Sequence, residues 1–286
     1  MQPDLTISSK ENPTFRFAQS LHRRKKAKET DTIFLEGSRL CEDVLNTGWV
    51  PEQIFYTQNK EALVSDWRER FFRALPEAQN APRICLVVDH LFPKLCDTEN
   101  PQGVAMILPR PTPPETLPSK GNDIYLVCER VTDPGNLGTM IRMADAFSFS
   151  GILLVAGGVD PYNEKVMRAS MGSCFRLPIC TYPDTETCIQ ELNKSRINSI
   201  GMDLSGESLD TAVIPFPVAY WIGNEAAGLT ETAKRSCQRL IHIPMDGTAE
   251  SLNAASAASI TGYVLAKQRR ERQKPGTKTT KTPRGT

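Results

Sequence analysis

A run of prolines divides this 286-residue chain. Pro109-Arg110-Pro111-Thr112-Pro113-Pro114 places four prolines in six residues, and the stretch continues through Pro118 to Gly121-Asn122. Proline fixes φ and has no N–H to donate, so such a run enters neither a helix nor a sheet interior. Residues 110–121 therefore read as a semi-rigid linker between two blocks.

Ahead of the linker, residues 1–30 read as a polar arm carrying a cationic cluster, Arg23, Arg24, Lys25 and Lys26. From residue 31 to 109 the pattern is α/β. A helix is expected over Ser38 to Asn46, with Leu40, Val44 and Leu45 on one face. Strands are expected at Gln53 to Tyr56, Arg83 to Val88 and Gly103 to Leu108, with helices over Lys60 to Arg73 and near His90 to Leu95.

Beyond the linker, residues 122–272 alternate strand and helix. Expected strands include Ile124 to Cys128, Ile152 to Val155, Leu177 to Cys180, Asn198 to Met202, Val218 to Ile222 and Leu240 to Ile243. Helices fall between them, and a long one follows the last strand. Such alternation predicts an α/β fold with a mainly parallel sheet covered by helices on both faces. Ligands of such sheets bind beyond the carboxyl ends of the strands. No strand is followed by GxGxxG or GxxxxGK[ST], which excludes the common dinucleotide and P-loop signatures. Residues 273–286 read as a basic, disordered tail.

Net charge is only +1, but the cations gather at the two ends. From Lys267 onward the chain has Lys267, Arg269, Arg270, Arg272, Lys274, Lys278, Lys281 and Arg284 against one acid, Glu271. Clusters of this kind suit a phosphate backbone, although a solvated helix face and tail would look the same. The eight cysteines form no CxxC pair and only three histidines are present, so reduced thiols and no metal are expected. No apolar run approaches the ~20 residues that span a bilayer and the start lacks a leader pattern, so a cytoplasmic location is expected.

Three loops carry candidate chemistry. After the first strand of the second block, Asp133-Pro134-Gly135-Asn136 is a strong turn signal, Asn136 suits a helix cap, and Arg142 falls on an otherwise apolar stretch two turns on. After Val218 to Ile222 comes Gly223-Asn224-Glu225-Ala226-Ala227-Gly228, an acid flanked by glycines that permit close backbone approach. After Ile243-Pro244-Met245, a polar loop reaches Ser251-Leu252-Asn253-Ala254-Ala255 and a helix that opens on small residues. Ser251 is an ordinary candidate for its N-cap.

In this order the three loops resemble the signature motifs of the SpoU (TrmH) branch of SPOUT-class RNA methyltransferases, a match extended by Arg168-Ala169-Ser170-Met171-Gly172. The first block, with Glu36-Gly37 and Pro101-Gln102-Gly103-Val104, is similar to the L30e-like substrate-binding domain of rRNA-modifying members. The resemblance implies a catalytic domain with a C-terminal trefoil knot. It also implies an S-adenosylmethionine site, a homodimer, and methyl transfer to a ribose 2′-hydroxyl of RNA. Large-subunit, 23S-type rRNA with guanosine as target is the first expectation. A tRNA 2′-O-methyltransferase and a non-catalytic RNA-binding protein are the alternatives.

By the same resemblance the catalytic set is Arg142, Asn136, Glu225, Ser251 and Asn253. The cofactor set is Gly223, Asn224, Ile243, Met245, Leu252 and Asp203. From their charge rather than from the resemblance, Arg23, Arg24, Lys25 and Lys26 are expected to bind RNA. A guanidinium stays protonated in proteins, so Arg142 is better suited to gripping a phosphate and stabilising an alkoxide than to accepting a proton. Asn136 is expected to orient Arg142 or the ribose, and Glu225 to hold the arginine network or balance charge near the sulfonium. His242 is expected to be a packing residue rather than a base.

Overall fold

Strand residues buried on both faces read as continuous apolar runs, and Ile124–Glu129, Gly151–Val155 and Val218–Ile222 are wholly buried strands of this kind. The computed structural model describes residues 2–21, 29–73, 81–155 and 157–273. These divide into two units: Met1–Thr112 with Tyr162–Arg176, and Pro113–Pro161 with Leu177–Thr286.

The first unit contains β1 (Leu5–Ile7), α1 (Pro13–Ser20), β2 (Thr32–Glu36), α2 (Ser38–Leu45), β3 (Gln53–Tyr56), α3 (Glu61–Trp67), β4 (Arg83–Val87) and β5 (Val104–Pro109). Its five strands lie in the order β1-β4-β3-β5-β2. β1 and β3 run parallel to β4, whereas β5 is antiparallel to β3 and β2. Phe15, Phe55, Cys85, Val87, Phe92 and Ile107 are buried together in one core cluster. α3 continues through a π turn, Arg68–Phe72, where a regular helix to Arg73 was expected.

The start of the chain is not the arm expected from its polar composition. Leu5–Ile7 pairs in register with Cys85–Val87, and Phe15 and Ala18 of α1 are fully buried. Asn12 caps α1, accepting from the N–H groups of Thr14 and Phe15, with Pro13 in the first turn. The polar composition hides that Asn-Pro helix start, and a three-residue strand is too short to show a periodicity. Arg23, Arg24, Lys25 and Lys26 lie outside the described residues.

The second unit is built from β6 (Ile124–Glu129), α4 (Pro134–Ala146), β7 (Gly151–Val155), β8 (Ile179–Tyr182), α6 (Thr185–Lys194), β9 (Asn198–Ser208), β10 (Val218–Ile222), α7 (Glu231–Ser236), β11 (Arg239–His242) and α8 (Ala254–Gln273). Its sheet has the order β11-β9-β10-β6-β7-β8 with every pairing parallel. β6 and β10 are neighbours at its centre, and every residue of both is buried. α4 and α8 pack against each other. β9 runs six residues past its expected end, and His242 hydrogen-bonds through Nδ1 to the Gly206 carbonyl at 2.9 Å, the packing role expected of it.

One segment departs from the expected division at the linker. Tyr162–Arg176, with α5 (Glu164–Ser170), groups with the first unit rather than with the block that surrounds it in sequence. There Trp49 Nε1 donates to the Phe175 carbonyl at 3.1 Å, Arg110 stacks over Tyr162, and Arg168 lies 3.7 Å from the buried Glu36 carboxylate. Such long-range side-chain contacts leave no mark in local periodicity.

All eight cysteines are free. Burial pushes the thiols of Cys85 and Cys180 up to about 11, so they act as small core hydrophobes. Among the described residues no helix is long and apolar enough to cross a membrane, and no cluster of His, Cys, Asp or Glu could hold a metal ion.

Candidate active site

The three motif loops all follow carboxyl ends of strands: one after β6, one after β10 and one after β11. β6 ends on Glu129, which is fully buried yet charged by nature, and its bonds show how the first two loops are fixed. Oε1 accepts from the hydroxyls of Thr185 (2.6 Å) and Thr230 (2.7 Å), and Oε2 from the Thr230 N–H at 2.8 Å. Thr230 in turn caps α7. A buried carboxylate survives only when satisfied in this way. Sequence reasoning missed Glu129, because an acid at a strand end is no signal until its partners are known.

Above that floor sits Glu225. Its Oε1 accepts from the Asp133 N–H at 3.2 Å and from Asn136 Nδ2 at 3.1 Å. Its Oε2 accepts from the Thr132 N–H at 3.4 Å and hydroxyl at 3.3 Å. Burial works against ionisation, but the Asn136 amide and these backbone donors prevail and hold the carboxyl below its ordinary range. Asn224 anchors the same loop: Oδ1 accepts from the N–H groups of Ala226 and Ala227, both at 3.0 Å, and Nδ2 donates to the Arg130 carbonyl at 3.1 Å. Gly223 must be glycine, since a Cβ there would collide with the backbone of Gly228 and Leu229. Gly228 itself has φ +66°, a conformation that suits glycine.

The third loop joins through Asn253, whose Nδ2 donates to Asn136 Oδ1 at 3.0 Å. Asn136 thus hydrogen-bonds both Glu225 and Asn253, and one residue from each loop forms a continuous chain. Two capping expectations are corrected here. α4 is capped by Asp133, whose Oδ1 accepts from the Asn136 N–H at 2.7 Å. α8 is capped by Asn253, whose Oδ1 accepts from Ala255 and Ser256 at 2.9 and 3.2 Å, not by Ser251. Asp and Asn cap at least as well as Asn and Ser at the positions expected, so propensity could not decide between neighbours.

Arg142 stands apart from this chain. It is exposed on α4 and, among the described residues, has neither an ion pair nor a hydrogen bond. Six residues beyond Asn136, it is roughly 9 Å further along the helix and about 240° round it. The expectation that Asn136 orients Arg142, or that Glu225 holds it, is therefore corrected. Both side chains are committed to the loops, and neither bonds the guanidinium.

Beside the third loop lies a cleft of about 120 Å³ lined by Met202, Asp203, Ile243, Met245, Ser251 and Leu252, among others. It gathers Asp203, Ile243, Met245, Leu252 and Ser251 from the expected sets, but not Gly223 or Asn224, which shape the neighbouring loop. Leu252 and Leu204 are 38% and 63% exposed, apolar surface that a ligand would cover. Asp203 lies at the edge with its oxygens occupied. Lys234 Nζ is 2.7 Å from Oδ2, and the Ser205 N–H and hydroxyl donate to Oδ1 at 3.0 and 2.6 Å. Burial opposes its charge, yet Lys234 and Ser205 outweigh that and hold its pKa at about 2.

This arrangement can be compared with known proteins. The sequence profile of the SpoU rRNA Methylase family matches residues 123–263, the part of the chain that carries all three loops. The structure superposes with TM-score 0.77 on an AdoMet-bound rRNA methyltransferase from Sinorhizobium meliloti, at 30% identity over 93% of this chain and 98% of that one. The chain belongs to the SpoU rRNA methylase family. A second profile, the MRM3-like substrate binding domain, matches residues 12–106 of this SpoU protein and so begins at the N-cap of α1. At 29% identity it is similar to the 23S rRNA (guanosine(2553)-2′-O)-methyltransferase RlmP of Bacillus subtilis, over 91% of this chain and 98% of the relative. Also at 29% identity, it resembles the 23S rRNA (uridine(2479)-2′-O)-methyltransferase of Streptomyces viridochromogenes, over 87% of each.

Proposed function

We propose that this SpoU protein methylates the 2′-hydroxyl of a ribose in large-subunit rRNA, with S-adenosylmethionine as methyl donor and guanosine as the target nucleoside. The observation that carries the reading is the Glu225–Asn136–Asn253 chain, which locks three loops beside an apolar cleft at the carboxyl ends of a parallel sheet. Relatives that span nearly the whole chain are named for this reaction on 23S rRNA.

The apolar cleft suits the cofactor, with Ile243, Met245 and Leu252 holding it and the Gly223 loop shaping the approach. When bound, the cofactor supplies an electrophilic methyl group on a sulfonium. The protein has to place a ribose oxygen in line with that group, and orientation of this kind contributes roughly 7–11 kcal/mol to well-positioned reactions. Arg142 grips the adjacent phosphate and stabilises the developing alkoxide, while the hydroxyl proton departs to solvent. Ser251, which lines the cleft, binds substrate. Asn136, Glu225 and Asn253 act by holding the loops rather than by exchanging protons.

The catalytic unit is threaded as a trefoil knot and works as a cytoplasmic homodimer. In support of the knot, β11 lies at one sheet edge beyond β9, so the chain must return past β10 before α8 packs against α4. In support of the dimer, α8 presents Ile260 and Tyr263, 41% and 51% exposed. Tritium transfer from labelled S-adenosylmethionine to large-subunit rRNA, with tRNA as comparison, tests the activity. Equal or better transfer to tRNA would replace the substrate assignment.

A further inference from the structure

A second basic feature lies at the opposite end of the catalytic sheet from the methyl-transfer loops. Asp123 and Ser150 immediately precede β6 and β7, and the C-terminal end of α4 closes over them. Together with the last turns of α8 they border an open cavity of about 490 Å³, lined among others by Lys120, Asp123, Ser148, Ser150, Arg269 and Arg270. That volume is in the range of pockets that take a nucleotide-sized ligand.

The charge around this cavity is arranged for an anion. The C-terminus of a helix ordinarily exposes carbonyls that repel negative charge. Here Arg269 lies against that end, donating to the carbonyls of the C-cap residue Phe147 at 2.6 Å and of Ser148 at 2.9 Å. The one carboxylate lining the cavity, Asp123, is buried and turned to other work: it accepts from the Ser150 hydroxyl at 2.6 Å and from the Lys120 backbone N–H. The side chains of Lys120 and Arg270 are exposed and have no carboxylate partner among the described residues. Arg270 makes only a long cation–π contact with Tyr263, 6.0 Å to the ring centroid. Burial, and next to it the neighbouring Arg270, depress the Arg269 guanidinium, the mark of cations held close together. Lys267 and Arg270, three residues apart on α8, share a face, and the sequence beyond continues with Lys274, Lys278, Lys281 and Arg284.

We infer that this cavity and the cationic face of α8 form a second RNA contact, a phosphate-backbone grip at the far end of the sheet from the methyl-transfer site. The inference rests on the proposed RNA substrate. Phosphate contacts position a nucleic acid without reading its sequence. A grip remote from the reacting ribose fixes the register of a large structured RNA on the enzyme.

The test is a salt titration of binding to an unmodified large-subunit rRNA transcript, comparing the wild-type protein with K120A/R270A and K120R/R270K. Arg269 is left intact because it caps α4. The double alanine variant is expected to bind roughly tenfold more weakly at moderate salt, with a log–log slope shallower by about 1.4–1.8, the contribution of two phosphate contacts. K120R/R270K is expected to bind as wild type, and S-adenosylmethionine affinity measured by calorimetry stays unchanged in both, which also reports that they fold. Unchanged RNA affinity and slope in K120A/R270A would overturn the inference. So would a loss of binding that only tracks loss of the dimer in sedimentation. A wild-type protein that transfers no methyl group to rRNA would instead overturn the functional reading, while the titration would still decide whether this face binds RNA.

Discussion

Asn253 and Asn136, 117 residues apart in sequence, are joined by a single 3.0 Å amide hydrogen bond, and that bond closes the third motif loop onto the first. The same Asn253 caps α8 through its other amide atom. Asn253→Asp separates the two roles, since a carboxylate still caps but cannot donate to Asn136. The variant is expected to melt close to wild type while its methyl-transfer kcat/KM falls on the order of 10-fold to 100-fold, as when a hydrogen bond of about 1–3 kcal/mol is lost. Thermal melts and initial rates check this, and equal loss of both would reduce Asn253 to a cap.

Arg142→Ala is expected to abolish methyl transfer with normal S-adenosylmethionine binding by calorimetry. Its exposed side chain makes no ion pair or hydrogen bond among the described residues, so its removal is expected to change the melting temperature little. Arg142→Lys should recover little, because a point charge does not reproduce the planar fork.

The ion pair of Asp203 with Lys234 gives a pH signature. The folded carboxyl titrates at about 2 against an ordinary 3.8, so its folded pKa is depressed. The stabilisation is therefore complete above the unfolded value and disappears as pH falls from about 4 towards 2. Melting temperatures across that range should decline less steeply for Asp203→Asn than for the wild type, and parallel curves would remove the assignment.

Helix α4 depends on Asp133. Asp133→Ala should destabilise the protein by about 1 kcal/mol, the usual worth of an N-cap, as read by urea denaturation. Asn136→Ala at the position first expected to cap should instead act mainly on methyl-transfer rate.

Charge reversal of Arg23, Arg24, Lys25 and Lys26 is expected to weaken rRNA binding and to make its log–log salt slope shallower by up to about 3. An unchanged slope in a filter-binding titration would make the cluster a solvated charge run.

Much of the second unit was legible because its elements obey strong local rules. Val218–Ile222 was located to the residue, since it is one apolar run bounded by Pro217 and Gly223. The loops carrying Asn136, Glu225 and Asn253 were legible as a motif order, but not as a bonded chain, since hydrogen bonds between loops 89 and 117 residues apart leave no periodicity. Three things could not be read. Leu5–Ile7 is too short to announce itself as a strand, Tyr162–Arg176 joins the first unit only through long-range contacts, and Glu129 gains meaning only from Thr185 and Thr230. The basic C-terminal run was legible as charge, whereas the cavity it borders was not.

Assembly of the three loops into a ribose methylation site for large-subunit rRNA is tested by incubating the full-length protein with tritiated S-adenosylmethionine and unmodified 23S-type rRNA, followed by mapping of ribose methylation. Label is expected at a single ribose 2′-oxygen, on a guanosine, and is expected to be lost in Arg142→Ala. Label on a base, or no transfer to any RNA by protein that binds the cofactor, would contradict that expectation.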